Sequence, residues 1–413
     1  MKVLPTFSRI LDKITGKEIA ELTLDLIKIH SETGKEQEAQ NFYMEYLKKA
    51  GLEVTLQPVD DIGRCNVIGK IPGTGKGRKL MLHSHLDTID WSDCVQPYFN
   101  EEENRVYGRG SADMKGQCAL QAVAAKAIAN SGVKFKGDLY VIGSMGEETG
   151  TKRPDGTPWV IGAQATVEKK YPIVDAVVVL ECHPPLGLAL ANKGSMGFEF
   201  TVFGADRLLH ESAVPFARNP TYWQAEVVVA LEKLNEKLSR RKHRFAGPPY
   251  INVTSVSHPI FSNTVPTSIK IKGTRRVNPG ETKESVTKEF NDLLADLRKR
   301  SPLKIEMNIS GEPLAWEVSP REPVVKSFQK AFKQVTGKDV LLGGHAANAD
   351  SRWFSKGVSE WHKKYNPKGT VTINFGPDHD SLHSNLEHMD IDQAVTAAKV
   401  IALASIDFCG TTR

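Results

Sequence analysis

Acids and histidines in this chain cluster just after apolar runs, which is how a folded sheet brings such ligands onto a divalent cation. The first group is Leu80-Met81-Leu82-His83-Ser84-His85-Leu86-Asp87. Strand alternation sets His83, His85 and Asp87 on one face, so an imidazole can bind metal while Asp87 fixes the ring tautomer of His85. The second is Tyr107-Gly108-Arg109-Gly110-Ser111-Ala112-Asp113-Met114-Lys115-Gly116, a glycine-flanked turn holding Asp113 before a helix. The two oxygens of one carboxylate can bridge two cations roughly 3.5–4 Å apart; the plainer reading of Asp113 is a helix N-cap. Third comes Ser144-Met145-Gly146-Glu147-Glu148-Thr149-Gly150. Adjacent glutamates leaving a strand diverge, so one can ligate metal while the other faces a water, and cations relieve their mutual repulsion. An exposed acidic loop is the competing reading.

The fourth group ends an apolar strand on one acid, Ala176-Val177-Val178-Val179-Leu180-Glu181-Cys182-His183-Pro184. The fifth is Asn374-Phe375-Gly376-Pro377 followed by His379, His383 and Glu387, which by itself reads equally as a solvated His-rich loop. All five fall at the carboxyl ends of expected strands, the edge where α/β sheets bind ligands. Histidine, aspartate and glutamate without cysteine suit zinc, manganese or cobalt.

The elements that must position these groups follow from periodicity. Ile19, Leu22, Leu26 and Ile29 predict a helix over 17–30, and Thr33-x-x-Glu36 reads as a capping box opening a second one that Gly51 stops. Strands are expected at 54–59, 66–71, 79–82, 137–144 and 176–180, with an Ala-rich helix over 114–130. That alternation predicts an α/β domain with a largely parallel sheet. From about residue 196 the order becomes β-α-β-β-α-β, the ferredoxin-like signature, ending near 309. An α/β style then returns, with a helix over 322–336, a strand at 371–375 and a helix over 391–407. The expectation is a catalytic domain of residues 1–195 and 310–413 interrupted by an inserted domain of 196–309.

Length and composition fit two ordinary globular domains: 413 residues, 40% hydrophobic and 25% charged. A net charge of +5, from 54 basic and 49 acidic residues, is too mixed for a polyanion-binding surface. The densest basic run, Ser239–Arg244, follows an amphipathic helix without interleaved aromatics, so a solvated helix end is expected there and no nucleic-acid partner. Five spaced cysteines with no CxxC pair, no signal-peptide core and no membrane-length apolar stretch predict a cytoplasmic protein with reduced thiols and no membrane partner.

Taken in order, HSHLD, YGRGSADMKG, MGEETG, LECHP and GPDHDSLHSNLEH resemble the M20 metallopeptidase family over nearly the whole chain. That family includes acetylornithine deacetylases, succinyl-diaminopimelate desuccinylases, aminoacylases and carboxypeptidase G2-like enzymes. The resemblance implies a zinc-exopeptidase-like catalytic domain with a mixed, mainly parallel sheet, interrupted by a ferredoxin-like lid and dimerisation domain. It implies two divalent ions, zinc first, manganese or cobalt as alternatives. One would be held by His85, Asp113 and Glu181, the other by Asp113, Glu148 and His383. Glu147 would be general base and then general acid toward the leaving nitrogen, with Asp87 orienting His85. His210, Asn263, Arg276 and Arg352 match segments that contact substrate, the His reaching a second subunit's site in a homodimer. A surface ion pair is the plainer reading of the two arginines.

The sequence departs from that family at Gly146, where Asp is common, at Cys182-His183 after Glu181, and in residues 151–160 and 344–350. The expected reaction is hydrolysis of an amide C–N bond in a small N-acyl amino acid or dipeptide-like substrate, by a metal-bound water that Glu147 activates. The alternative is an aminohydrolase or amidohydrolase releasing ammonia from a non-peptide, including an aromatic one. A non-catalytic binding protein is disfavoured because Glu147 and all five presumed ligands are present. A barrel-type amidohydrolase, suggested by His83-x-His85, is disfavoured because the β-α-β-β-α-β segment does not fit eight βα repeats.

Overall fold

A computed structural model describes residues 5–148, 152–181, 186–257, 263–357, 359–377 and 381–412. Its larger sheet runs, in spatial order, Glu53–Pro58, Cys65–Ile71, Leu139–Ser144, Leu80–His85, Ala176–Val179, Val371–Phe375, Leu188–Asn192 and Trp316–Glu317, with Leu342–His345 also on Leu188–Asn192. The sheet is mixed. Its four middle strands are parallel, and both flanks carry antiparallel neighbours.

Those middle strands are almost entirely buried and largely apolar because both faces are covered. Leu80, Leu82, Leu139, Val141, Ala176 and Val178 face the larger core, built with helices Gly16–Ile27, Lys115–Ala129, Pro323–Thr336 and Ile391–Cys409. The alternate residues Met81, Tyr140, Ile142, Val177 and Val179 meet Ala163 and Phe354 on the opposite side. Lys115–Ala129 is buried on nearly every side, which explains its run of alanines: larger side chains would hold the neighbouring helices apart.

Parallel register decides where the site lies. Leu80 pairs with both Leu139 and Ala176, so the strands ending at His85, Ser144 and Val179 finish side by side. The Leu86 N–H donates to Ser144 O at 2.8 Å and the Leu180 N–H to His83 O at 2.9 Å, carrying the alignment past the strand ends. A small sheet, His388–Asp390 with Arg105–Tyr107 and Tyr98–Asn100, ties the chain after His383 to the turn before Asp113.

Strands Gly194–Phe203, Tyr250–Ser257, Ser268–Val277 and Ile305–Ser310 form a second, antiparallel sheet in the order second, third, first, fourth. With helices Pro220–Ser239 and Lys283–Arg300 this is the ferredoxin-like arrangement. Gly194–Phe203 alternates buried and half-buried residues, as a sheet covered on one face requires. Phe198, Phe200, Val227, Leu231, Ile271 and Phe290 make its separate core. Asn219 caps the first helix through the Thr221 N–H, and a Thr282–Ser285 capping box opens the second.

The Thr33–Glu36 capping box does not form. The helix it was to open, Gln37–Lys49, has Glu36 at its N-cap without a side-chain cap bond, because both residues have buried partners elsewhere. The basic run ends in ion pairs, Arg241 with Glu281 and Glu289 and Arg244 with Glu317. Among the described residues no helix is long and apolar enough to cross a membrane, and Cys65, Cys94, Cys118 and Cys409 are unpaired.

Candidate metal centre and active site

His85 is the last residue of its strand and is almost wholly buried. Its Nε2 lies 3.1 Å from Asp113 Oδ1, while Nδ1 lies 2.9 Å from the Asp87 carbonyl and 3.4 Å from Asp87 Oδ1. Nδ1 therefore carries the proton and Nε2 is the donor atom that points into the site. Asp87 also accepts the Glu147 N–H at 3.1 Å, the Glu148 N–H at 2.9 Å and the Thr33 hydroxyl at 2.8 Å. One buried carboxylate thus orients the histidine and both glutamates.

Donor atoms of His85, Asp113 and Glu148 all lie within 4.8 Å of one another. His383 Nε2 joins them from the far loop, 3.2 Å from Asp113 Oδ2 and 3.0 Å from Glu148 Oε1. Glu181 is buried just past its strand, and its Oε2 has no hydrogen-bond partner. Asp113 is not a helix cap: the N-cap of Lys115–Ala129 is Met114, and the Asp113 oxygens face the two imidazoles.

The turn carrying Asp113 is held by a residue whose role the sequence did not signal. Glu387 is fully buried and accepts Arg109 Nη1 at 2.6 Å and the N–H groups of Gly110, Ala112 and Asp113 at 2.9–3.1 Å. Gly116 must be glycine, since a Cβ there would sit 2.1 Å from the Ser111 carbonyl. Thr33 is the second unsignalled residue, its hydroxyl lying 2.6 Å from the Glu148 carbonyl as well as on Asp87.

Glu147 diverges from Glu148 and meets Arg352, Oε1 to Nη2 at 3.2 Å. Asp350 is buried nearby, 3.4 Å from Ser144 Oγ and 3.7 Å from His83 Nε2. His83 shares a strand face with His85, but burial pushes it down to about 3 and Phe354 packs against its ring, so it stays neutral inside the fold. The 344–350 stretch is anchored on Asn192, which bonds the Ala347 carbonyl at 2.9 Å and His345 Nδ1 at 3.0 Å.

Three of the remaining expected residues lie in the inserted region, Arg276 in its four-stranded sheet and His210 in a separate pair with Thr264–Val265, which Asn263 precedes. His210 is exposed, bonds Ser212 Oγ at 2.9 Å and neighbours Asn263, whose carbonyl accepts the Glu211 N–H at 3.1 Å. Arg276 pairs with Ser195 in the sheet, and its Nη1 is buried without a hydrogen bond. Beside it is Lys193, buried over the Tyr250 ring at 4.9 Å, its ammonium pushed down by burial and by the Arg276 charge. Lys193 was not anticipated. Among the described residues, no hydrogen bond or ion pair joins His210, Asn263 or Arg276 to the His85–Asp113–Glu148 group. The residues Thr149, Gly150, Cys182, His183, Pro184 and His379 lie outside the described ones.

The charges require a cation. Burial and then Asp113 push both Glu181 and Glu148 above the usual carboxylate range. Burial opposes ionisation of Asp113, but hydrogen bonds from His383 and His85 outweigh it and hold Asp113 well below that range. The same bonds raise His383 to about 10, and they carry His85 well above its ordinary value against the effect of burial. Divalent ions at this point would neutralise several acids at once and leave both imidazoles neutral. With an unpartnered Glu181 oxygen and an all-His/Asp/Glu donor set, the residues fit a metal centre.

Comparison with known proteins agrees with this reading. The chain is 23% identical over 392 residues to a succinyl-diaminopimelate desuccinylase of Pseudoalteromonas atlantica, covering 93% of this chain and 96% of that protein. Its fold matches the aminopeptidase PepT of Bacillus cereus with a TM-score of 0.76 at 16% identity, over 96% of this chain and 100% of the other. It also matches the Bacillus subtilis YXEP protein, described as a dinuclear metal binding peptidase of the M20 family, at 0.67 and 15% identity, over 95% and 98%. The model of peptidase family M20/M25/M40 spans residues 81–406, taking in the strand of His85, the Asp113 turn, both glutamates and His383. The chain therefore belongs to peptidase family M20/M25/M40 and is a metal-dependent hydrolase acting on C–N bonds.

Proposed function

We propose that this protein cleaves the amide bond of a small N-acyl amino acid or dipeptide-like substrate at a dinuclear centre, with Glu147 as general base and then general acid. The observation that carries this reading is the convergence of His85, Asp113 and Glu148 within 4.8 Å, with the Glu147 carboxylate turned aside from them. His85, Asp113 and Glu181 would hold one cation, and Asp113, Glu148 and His383 the other. When bound, two such ions supply Lewis acidity, acidifying water and polarising the scissile carbonyl.

The chain's own groups do the proton work. Burial, with Asp350 and Glu181 nearby, lifts Glu147 well above an ordinary carboxylate, and Arg352 only partly opposes this. Cations bound beside it would offset this rise, leaving a carboxylate that takes a proton from the attacking water and returns it to the leaving nitrogen. Asp87 keeps Glu147 in place through its backbone N–H. Arg352, Arg276, Asn263 and His210 are assigned to substrate, the arginines by planar pairing with a carboxylate. Zinc as the native ion, a homodimer through the inserted domain acting as lid, and a cytoplasmic location complete the proposal.

The test is turnover by chain reconstituted with zinc, manganese or cobalt, against N-acetyl, N-succinyl, dipeptide and aryl-amine substrates with product identification. A carboxylic acid plus an amine is expected. Ammonia would instead select the aminohydrolase alternative, and metal binding without turnover of any substrate would overturn the catalytic reading.

A further inference from the structure

The loop at 152–160 sets this chain apart at the sequence level, and the fold gives it a built position beside the centre. Lys152 bridges Pro158, the Arg153 N–H donates to Thr157 O at 2.9 Å, and Asp155 Oδ1 accepts the Thr157 N–H at 2.9 Å, so the segment is a closed turn. Arg153 fastens it to Asp61 at 2.7 Å. Arg64, whose side chain is 3% exposed, donates to the Val160 carbonyl at 2.8 Å while pairing with Glu36 and Asp60.

These anchors hold Trp159. The Arg64 guanidinium lies 4.8 Å from its ring centroid and that of Arg153 6.0 Å. The far edge of the ring covers Gly34, where an added Cβ would come within 2.5 Å of Cη2 and Cζ2. Gly34 also has φ +98, so both backbone and space demand glycine there. The half-buried indole is fixed in place and borders a cavity of about 590 Å³, within the usual range for small-molecule sites.

Trp159, Ile89 and Pro154 give that cavity apolar wall, and Glu148 forms part of its lining. Glu148 is the residue this cavity shares with the candidate metal centre, where its Oε1 lies 3.0 Å from His383 Nε2. Charges around it come in both signs. Lys35 and Lys152 face Glu32 and Asp90, with Lys35 3.7 Å from Glu32, so an anionic acyl group meets no surplus of positive charge. A flat apolar group meets the part of the half-buried indole that lines the cavity, and the ring quadrupole favours edge-on aromatic contact.

We propose that Trp159 forms a subsite for an aromatic substituent next to the scissile bond, making the enzyme selective for aryl-bearing substrates over succinyl ones. The inference rests on reading Glu148 as part of a C–N hydrolase centre. The test is calorimetric binding of 3-phenylpropionate and of succinate to the metal-reconstituted full chain, in wild type, Trp159→Ala and Trp159→Phe. The two ligands share one carboxylate and a two-carbon stem and differ in phenyl against a second carboxylate, so their ratio reports which of the two the subsite prefers. 3-Phenylpropionate is expected to bind at least about tenfold tighter than succinate. Trp159→Ala loses that margin and leaves succinate within about twofold, while Trp159→Phe keeps most of it. Equal binding of the two ligands, equal weakening of both in Trp159→Ala, or no binding of either overturns the proposal. Turnover of N-acetyl-phenylalanine and N-acetyl-alanine on the same proteins separates the two readings. The binding pattern without turnover removes the hydrolase and leaves the subsite, and turnover without the pattern does the reverse.

Discussion

In the inserted sheet Arg275 is wholly buried, yet Glu281 and Glu289 meet its guanidinium at 2.7 and 3.2 Å. At the edge of the large sheet Asp113, Glu148 and Glu181 are buried against one another, with two imidazoles as their nearest positive groups. With Arg241 on the same two glutamates, the first cluster sets two arginines against two acids and needs nothing further to fold. The second has a surplus of negative charge that the protein alone does not cancel, and the surplus is tolerable because acids at a strand edge can share cations. Burial of charge thus serves structure in one sheet and chemistry in the other.

The comparison breaks first at Asp113, which touches both imidazoles. Asp113→Asn keeps the shape and halves the ligand's ability to serve two ions. Turnover is expected to fall by more than the roughly hundredfold that loss of a supporting partner brings, and metal per chain to fall with it, measured by elemental analysis. Chelator treatment should lower the melting temperature of the wild type and restoration of metal should raise it, because a ligand bound only by the folded state stabilises it. A melting temperature indifferent to chelator would mean that the acid cluster is self-sufficient after all.

Glu147→Gln sharpens the same contrast by removing the base and leaving the proposed ligands. A kcat loss of roughly a hundred- to ten-thousand-fold is expected, with metal content unchanged. Equal loss of metal would place Glu147 among the ligands instead.

What was legible in the sequence divides along physical lines. Strand ends were legible because parallel strands buried on both faces read as unbroken apolar runs, and His85, Glu147 and Glu181 are where those runs stop. The β-α-β-β-α-β order was legible from alternation in Gly194–Phe203 and from well-capped helices. Thr33 misled because Thr-x-x-Glu is the same string whether it caps a helix or reaches a buried acid 54 residues away. Glu387 was seen only as one more acid in a His-rich loop. Its partner Arg109 is 278 residues upstream, brought near by strands of three residues, too short to show a periodicity. His83 shows the limit of alternation, which gives the face of a strand but not what covers it.

Glu387 also supplies the next test, since it belongs to the structural style of burial while serving the chemical one. Its ion pair with Arg109 is almost fully enclosed, with side-chain exposures of 0% and 3%. Glu387→Gln leaves Arg109 buried with its charge uncancelled, which should destabilise the fold by about 3 kcal/mol in denaturant titration. The Asp113 turn should loosen as well, weakening metal binding by roughly ten- to hundred-fold. A loss of stability with metal affinity intact would show that the turn is held by its glycines alone.

The smallest effect is expected where the two sheets meet, at Arg276. Its Nη1 is buried without a hydrogen bond, and Lys193 stands beside it, so two cations share a space with no acid among the described contacts. This inverts the metal edge: there the missing partner is a cation, here it is an anion, which a substrate carboxylate would supply. Arg276→Met removes one side of that pairing without touching the His85–Asp113–Glu148 group. A charge-assisted hydrogen bond is worth about 1.5–3 kcal/mol, so KM for a carboxylate-bearing substrate should rise roughly ten- to hundred-fold while kcat changes little. Amides lacking the carboxylate should be indifferent to the substitution. If kcat fell equally for both substrate types, Arg276 would be shaping the reacting centre itself, and the division between a chemical sheet and a recognising one would have to be redrawn.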